Sequence, residues 1–402
     1  MMKKRVLAMA VAASSLMFAG AAQAEVKIGF LGGFTGPIES LTPPIYEGAQ
    51  LAVRHVNEQG GILGGQTLVM PSADTTCSDA SAASNAADRM VNTENVTAIV
   101  GALCTGATIA AANNAAIPGG VVMVSPASTA PAVTDLDDND LVFRTVPSDS
   151  FQGDILARLM LDKGFDDVAV TFVNNDYGRG LADAFVESFE AGGGVVSENL
   201  AHEDGRADYR SELGSLSASG SETLVVLAYA DGSGQTVLRQ AYESGMFTQY
   251  AGADGMVGSA LVEAVGADVL EGMIATRPGS PELPGTELFN QAAEEAGFDP
   301  SAVFAAQSYD AAFLLALAIE QNGSAEREGL SEALRSVSSA PGEVILPGEW
   351  EKAVELIAAG EEINYEGASG SHEFDENGDV PGVVVEMVVE DGAFVGKGQV
   401  DL

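Results

Sequence analysis

The chain has 402 residues, 58 of them Asp or Glu and 18 Lys or Arg, for a formal net charge of −40. Such a surface repels nucleic acid and anionic lipid. With 46% hydrophobic residues in regular runs it is nonetheless not the composition of a disordered chain. The length fits about two domains with full cores. With only three His, no metal site is expected, and no cofactor.

Met1-Met2-Lys3-Lys4-Arg5, the apolar stretch Val6 to Gly20 and the small-x-small run Ala22-Gln23-Ala24 read as a cleavable secretory signal peptide over 1–24. No Cys follows to carry a lipid anchor. No later run reaches the roughly 18 uninterrupted apolar residues that a membrane span needs. The expected location is therefore a bacterial periplasm, with the acidic coat suited to a saline habitat, where salt screens self-repulsion.

From Glu25 the pattern alternates strand and helix. Val26–Leu31 predicts a strand and Ile45–Gln59 a helix ending at Gly60-Gly61. Thr67–Met70 is a strand, Asp79–Asn92 a helix, Ala98–Leu103 a strand, Ala107–Ala116 a helix and Val121–Val124 a short buried strand. The pattern restarts after Phe143-Arg144-Thr145-Val146-Pro147. Val168–Val173 is then a strand, Gly180–Glu190 a helix, Leu224–Ala228 a strand, Gln235–Glu243 a helix and Gly272–Ala275 a strand. Val303–Gln321, apolar on most sides, is a buried helix. Short connections between alternating elements mean an α/β fold with parallel sheets covered by helices, in two consecutive units.

The two cysteines, Cys77 and Cys104, follow two of these strands. If the strands are parallel, both sulfurs lie at the carboxyl edge of one sheet, where open α/β sheets bind ligands. In an oxidising compartment they are expected to form a disulfide contributing about 3–4 kcal/mol. The alternative is two separate buried thiols.

Together, Gly33-Phe34-Thr35-Gly36-Pro37, Gly60-Gly61-Ile62-Leu63-Gly64, Asp74-Thr75-Thr76-Cys77, Gly101-Ala102-Leu103-Cys104-Thr105, Ser125-Pro126-Ala127-Ser128-Thr129, Asp176-Tyr177-Gly178-Arg179-Gly180, Leu238-Arg239-Gln240-Ala241 and Phe374-Asp375-Glu376-Asn377-Gly378-Asp379 resemble, in order and spacing, the leucine/isoleucine/valine-binding periplasmic proteins of ABC importers. The resemblance implies two Rossmann-like lobes joined by a three-strand hinge, with a small ligand trapped in the cleft between them. It implies crossings near Thr145-Val146, Ala275-Thr276 and Asn364–Gly370. One lobe is then 25–145 plus 276–363 and the other 146–275 plus 364–402. It also implies a binding protein and not an enzyme, monomeric, delivering a small amino acid to an inner-membrane permease. Branched-chain amino acids lead, with amides, urea-type compounds, small carboxylic acids or a sensory role as alternatives.

Thr105 sits where a strand turns into a helix, a place suited to a carboxylate, and is available as a ligand donor or as an ordinary N-cap. By the resemblance, the Ala127 carbonyl accepts from the ligand ammonium, while Thr129 both donates to its carboxylate and accepts from its ammonium. Asp254, in Gly252-Ala253-Asp254-Gly255, stands where the family carries Glu, as counter-charge for the ammonium. It is one methylene shorter, and a solvated loop aspartate is the plainer reading. Tyr177 is expected to cover the ligand and Tyr229 to line the cleft, unless each is only a core edge. Phe34, Ser128 and Tyr309 are further pocket candidates. The glycines from Gly29 to Gly36 lack dinucleotide-site spacing. Asp375-x-Asn377-x-Asp379 imitates a calcium loop but has Val380 where such a loop needs Gly, so a hairpin turn is expected.

Overall fold

The computed structural model describes residues 25–400. The expected signal peptide lies outside the described residues, as do the last two residues of the expected second lobe. In chain order the first half runs β1 (Glu25–Gly32), α1 (Thr42–Glu58), β2 (Thr67–Val69), β3 (Ser72–Asp74), α2 (Ala80–Asp88), β4 (Ala98–Gly101), α3 (Thr105–Ala111), α4 (Ile117–Gly119), β5 (Val122–Ser125) and β6 (Val142–Arg144). Next come α5 (Asp149–Asp162), β7 (Asp167–Val173), α6 (Asp176–Ala191), β8 (Val195–His202), α7 (Arg210–Ser217), β9 (Thr223–Leu227), α8 (Gln235–Ser244), β10 (Gln249–Gly252), α9 (Ser259–Val265), α10 (Ala267–Leu270) and β11 (Ile274–Gly279). The chain ends with α11 (Pro284–Ala296), α12 (Ala305–Asn322), α13 (Leu330–Ser338), β12 (Glu343–Ile345), α14 (Trp350–Ala359), β13 (Ile363–Tyr365), β14 (Val383–Glu390) and β15 (Ala393–Gln399).

The first sheet is parallel, in the order β2-β1-β4-β5-β6, with β3 pairing the far end of β1. The second has the order β15-β14-β11-β10-β9-β7-β8; β14 and β15 are an antiparallel edge on an otherwise parallel sheet. Strands buried on both faces, such as β4, β5 and β9, explain the unbroken apolar runs in the sequence. Helix α12 is buried from Ala305 to Ile319, as its all-round apolarity predicts, and packs along α1.

Three passages join the sheets. The chain leaves the first sheet after β6, at 145–148, and returns after β11, at 280–283. It crosses again at 380–382, before β14. The last two fall later than the sequence-based positions. Strand β11 stays paired with β14 through Gly279, and Phe374 to Asp379 still pack on β6 through the Phe143–Phe374 ring contact and the Arg144–Asp379 ion pair.

Several local expectations shift for visible reasons. Helix α6 begins at Asp176, four residues early, because Asn175 caps it by accepting from the Gly178 N–H at 2.9 Å. Tyr177 therefore lies in a first helical turn and not on a preceding loop. Helix α12 begins two residues late, because Phe304 takes a left-handed conformation (φ 63°) ahead of it. The segment at Asp375 is a tight turn in which that carboxylate accepts from the N–H groups of Asn377 and Asp379.

Candidate functional site

The carboxyl ends of β1, β3 and β4 converge on the disulfide. Cys77 and Cys104 are bonded, with Cα atoms 5.5 Å apart. Gly36, in the loop after β1, holds φ at 100° and presses against the Thr76 carbonyl beside Cys77, where a Cβ would collide. The bridge thus fixes the mouth of the first sheet together with the loop 33–41.

Above this mouth is an apolar pocket walled by Ile38, Leu41, Ile45, Leu103, Cys104 and Phe304 from the first lobe, with Tyr177, Tyr229, Asp254 and Gly255 closing it from the second. Thr105 and Ala127 complete the first-lobe wall. Cys104, not Thr105, occupies the N-cap position of α3. The Thr105 hydroxyl is buried in the pocket wall with no hydrogen-bond partner, so capping does not account for it.

The second-lobe wall is built around Asp254, which is 2% exposed and not a solvated loop residue. Its Oδ1 accepts from the Tyr177 hydroxyl at 3.0 Å and from Gln152 Nε2 at 2.9 Å. Gln152, on α5, also donates to the Thr276 carbonyl at 3.2 Å, and its Oε1 has no partner. Tyr177 stacks on Tyr229, with ring centroids 4.9 Å apart and planes 16° from parallel. Gly255 lets its turn approach Tyr177 and the end of β9: an added Cβ would stand 2.8 Å from the Tyr177 hydroxyl and 2.6 Å from the Ala228 carbonyl.

A second buried carboxylate, Asp149, accompanies Asp254. Its Oδ2 accepts from the Thr129 hydroxyl at 2.9 Å, while Oδ1 has no partner. With its proton on Asp149, the Thr129 hydroxyl keeps its lone pairs open as an acceptor. Burial pushes Asp254 up to about 6, against the pull of the Tyr177 and Gln152 hydrogen bonds. Burial, and then the neighbouring Asp254 charge, raise Asp149 well above the ordinary carboxylate value. Two carboxylates this desolvated favour a cation between them.

The structure thus brings Thr105, Ala127, Tyr177, Tyr229 and Asp254 onto one pocket, with Thr129 held by Asp149. It does not bring in the others. Ser128 lies under the loop, paired with Thr108 Oγ1 at 2.6 Å and the Ala102 carbonyl at 3.2 Å. Tyr309 is bonded to His55 Nδ1 at 2.7 Å and the Gly348 N–H at 2.8 Å, and Phe34 packs on Phe30 and Tyr46. Sequence reasoning missed Asp149, Gln152, Ile38, Leu41 and Phe304. The Ser148-Asp149 step carries a detectable N-cap signal: Ser148 accepts from the Ser150 N–H at the start of α5. Among the described residues no group of His, Cys, Asp or Glu is placed to hold a metal ion.

A sequence profile of the periplasmic binding proteins matches residues 25–353. The chain belongs to that family. This periplasmic binding protein is 30% identical over 313 residues to the leucine-, isoleucine-, valine-, threonine- and alanine-binding protein of Pseudomonas aeruginosa, covering 77% of this chain and 82% of that one. It is 28% identical over 354 residues to the chemotactic signal transduction system substrate-binding protein BasB of Halobacterium salinarum, covering 86% and 82%. Among solved structures, a leucine-binding protein of Thermotoga maritima superposes with a TM-score of 0.79 at 28% identity, covering 94% of this chain and 99% of that one. The fold is accordingly the two-lobed type I architecture, and the family is one of solute-binding proteins, not of enzymes.

Proposed function

We propose that this protein captures an α-amino acid with an apolar side chain between its lobes and delivers it to an inner-membrane ABC permease. The observation that carries the reading is an apolar pocket with two buried polar groups facing each other across it, the unpartnered Thr105 hydroxyl on one wall and the Asp254 carboxylate on the other. Such groups are expensive to leave unmatched. A zwitterion matches both groups: its carboxylate meets the Thr105 hydroxyl and the first N–H groups of α3, and its ammonium meets Asp254, the Ala127 carbonyl and the Thr129 oxygen. The side chain then lies against Leu41, Leu103 and Phe304. The relatives bind branched-chain amino acids by name, which supports a leucine-sized ligand.

In this reading the lobes are the sheet-1 and sheet-2 halves joined by the three passages, and the mature protein is a periplasmic monomer. No helix among the described residues is long and apolar enough to cross a membrane. Delivery to a chemotaxis receptor is the second reading, supported by the Halobacterium salinarum relative. Both partners would recognise the closed form.

Isothermal titration with leucine, isoleucine, valine, leucinamide and 4-methylpentanoate tests the ligand class. Leucine should bind, and removal of either its ammonium or its carboxylate should weaken binding at least about 100-fold, the cost of stranding a buried charge. Asp254→Ala should do the same to leucine alone. Equal affinity for leucine and 4-methylpentanoate would refute the ammonium assignment.

A further inference from the structure

A second cavity, of about 400 Å³, lies beside the first and shares Leu41 with it. Its walls also come from both lobes. Leu41, Asp299 and Ser301 face it from the first, and Val257, Arg277 and Phe394 from the second. Arg277 sits near the end of β11, on the cleft edge of the second sheet.

Every other arginine among the described residues reaches a carboxylate or a carbonyl oxygen. Arg144, Arg158 and Arg335 each pair with a carboxylate. Arg277 Nε meets only the Met387 sulfur, at 3.4 Å, and among the described residues its Nη groups have no hydrogen-bond or carboxylate partner. Asp299 is near enough to act on it electrostatically, but its Oδ1 is occupied by the Ser301 N–H and hydroxyl, each at 2.8 Å. Burial works against the Arg277 charge. A half-buried guanidinium with open donors is a fork shaped for a planar anion. The surrounding Leu41, Val257 and Phe394 are shaped for hydrocarbon. A cavity of this size, with apolar walls on one side and Arg277, Ser259 and Ser301 placed among them, has the make-up of a small-molecule site.

We propose that this cavity is a second binding site, for a small organic carboxylate, with Arg277 as the anchor of the anion and Phe394 and Val257 against the tail. It is separate from the pocket at Asp254 and needs no ammonium. Because both lobes contribute walls, an occupant binds the closed arrangement better than an open one and so tightens capture in the first pocket. By linkage, a ligand in the first pocket tightens the second to the same degree.

The probe is 3-methylbutanoate, which has no ammonium for Asp254, titrated calorimetrically into the ligand-free wild type and Arg277→Gln with no amino acid present. The outcome therefore stands apart from the amino-acid reading. Wild type should bind one equivalent saturably, and Arg277→Gln should lose at least about tenfold in affinity, the worth of one charge-assisted pair. Arg277→Lys, which keeps the charge without the fork, should fall between. If Arg277→Gln does not fold by circular dichroism, Phe394→Ala replaces it; it should weaken 3-methylbutanoate severalfold and leave acetate unchanged. Absence of saturable binding in wild type overturns the proposal. So does wild-type affinity in Arg277→Gln, which would place the carboxylate in the pocket at Asp254, or an equal loss for acetate and 3-methylbutanoate in Phe394→Ala.

Discussion

Asp254 and Asp149 are placed where a carboxylate is least comfortable without a cation, and this has a pH signature. Burial raises both above the unfolded value of 3.8, Asp254 to about 6. A raised folded-state value means that the neutral acids stabilise the ligand-free fold fully below pH 3.8, and that this contribution is lost as pH rises through about 6. Ligand capture runs the other way, since an ammonium needs the charged form. We expect the melting temperature of ligand-free protein to fall between pH 4 and 7 while amino-acid affinity rises over the same window, with protons released on binding. Asp254→Asn should flatten both trends, which calorimetry in buffers of different ionisation enthalpy would read. At this scale the sequence was partly legible. Thr105, Tyr177 and Asp254 stand in recognisable turns next to strands. Phe304 does not, because it reads as one more apolar residue of a buried helix, and only its left-handed backbone turns the ring into the pocket. Ser128 reads as part of a ligand loop, and its hydroxyl proves to be spent on Thr108 and Ala102.

Between elements, Arg144 does the joining. It is fully buried at the end of β6, immediately before the first passage. Its Nε and Nη2 donate to the two oxygens of Asp379 at 2.6 and 2.7 Å, just before the third passage. Nη1 donates to the carbonyls of Thr129 and Ala130 at 2.9 and 3.1 Å, and Nη2 also reaches Thr134 Oγ1 at 2.7 Å. One guanidinium therefore fixes the ligand loop to two of the three connections between lobes. Arg144→Met keeps the length and strands Asp379, so it should cost about 3–5 kcal/mol in denaturant unfolding, and Arg144→Met with Asp379→Leu should recover part of that. The elements near this point were not read from the sequence: β6 and α5 flank the Phe143–Pro147 stretch, which reads only as a break between two units, and β14 lies in a segment without a strand expectation. Nor were the passages, because the end of β11 is decided by its pairing with β14, more than a hundred residues later.

The whole molecule is seen with its cleft closed. The Asp231 carboxylate, from the second lobe, accepts from the Ser40 N–H at 2.7 Å, and the Asp231 N–H donates to the Pro37 carbonyl at 3.1 Å. These bonds join the loop after β1 to the opposite lobe and flank Ile38 and Leu41 of the pocket. Closure must also overcome repulsion within a chain of net charge −40. Asp231→Ala should shift ligand-free protein toward an open form with a larger radius of gyration in X-ray scattering. Saturating amino acid should restore the wild-type value at the cost of a several-fold weaker apparent affinity. An unchanged radius would show that the Asp231 carboxylate does not hold the lobes together.

Sequence by itself determined the alternating α/β pattern and the strand ends that carry Thr105, Ala127 and the two cysteines, whose bonding it left as an expectation. These follow from local periodicity and from the rule that parallel sheets present their loops at one edge. Tertiary structure alone decided that Asp149 stands beside Asp254, that Gln152 and Tyr177 share one carboxylate oxygen, that Phe304 turns into the pocket, and that Arg277 is left without a carboxylate. Each of these depends on how two sheets are set against each other by three distant passages. Contacts across a cleft join residues with no common periodicity, so no local pattern encodes them.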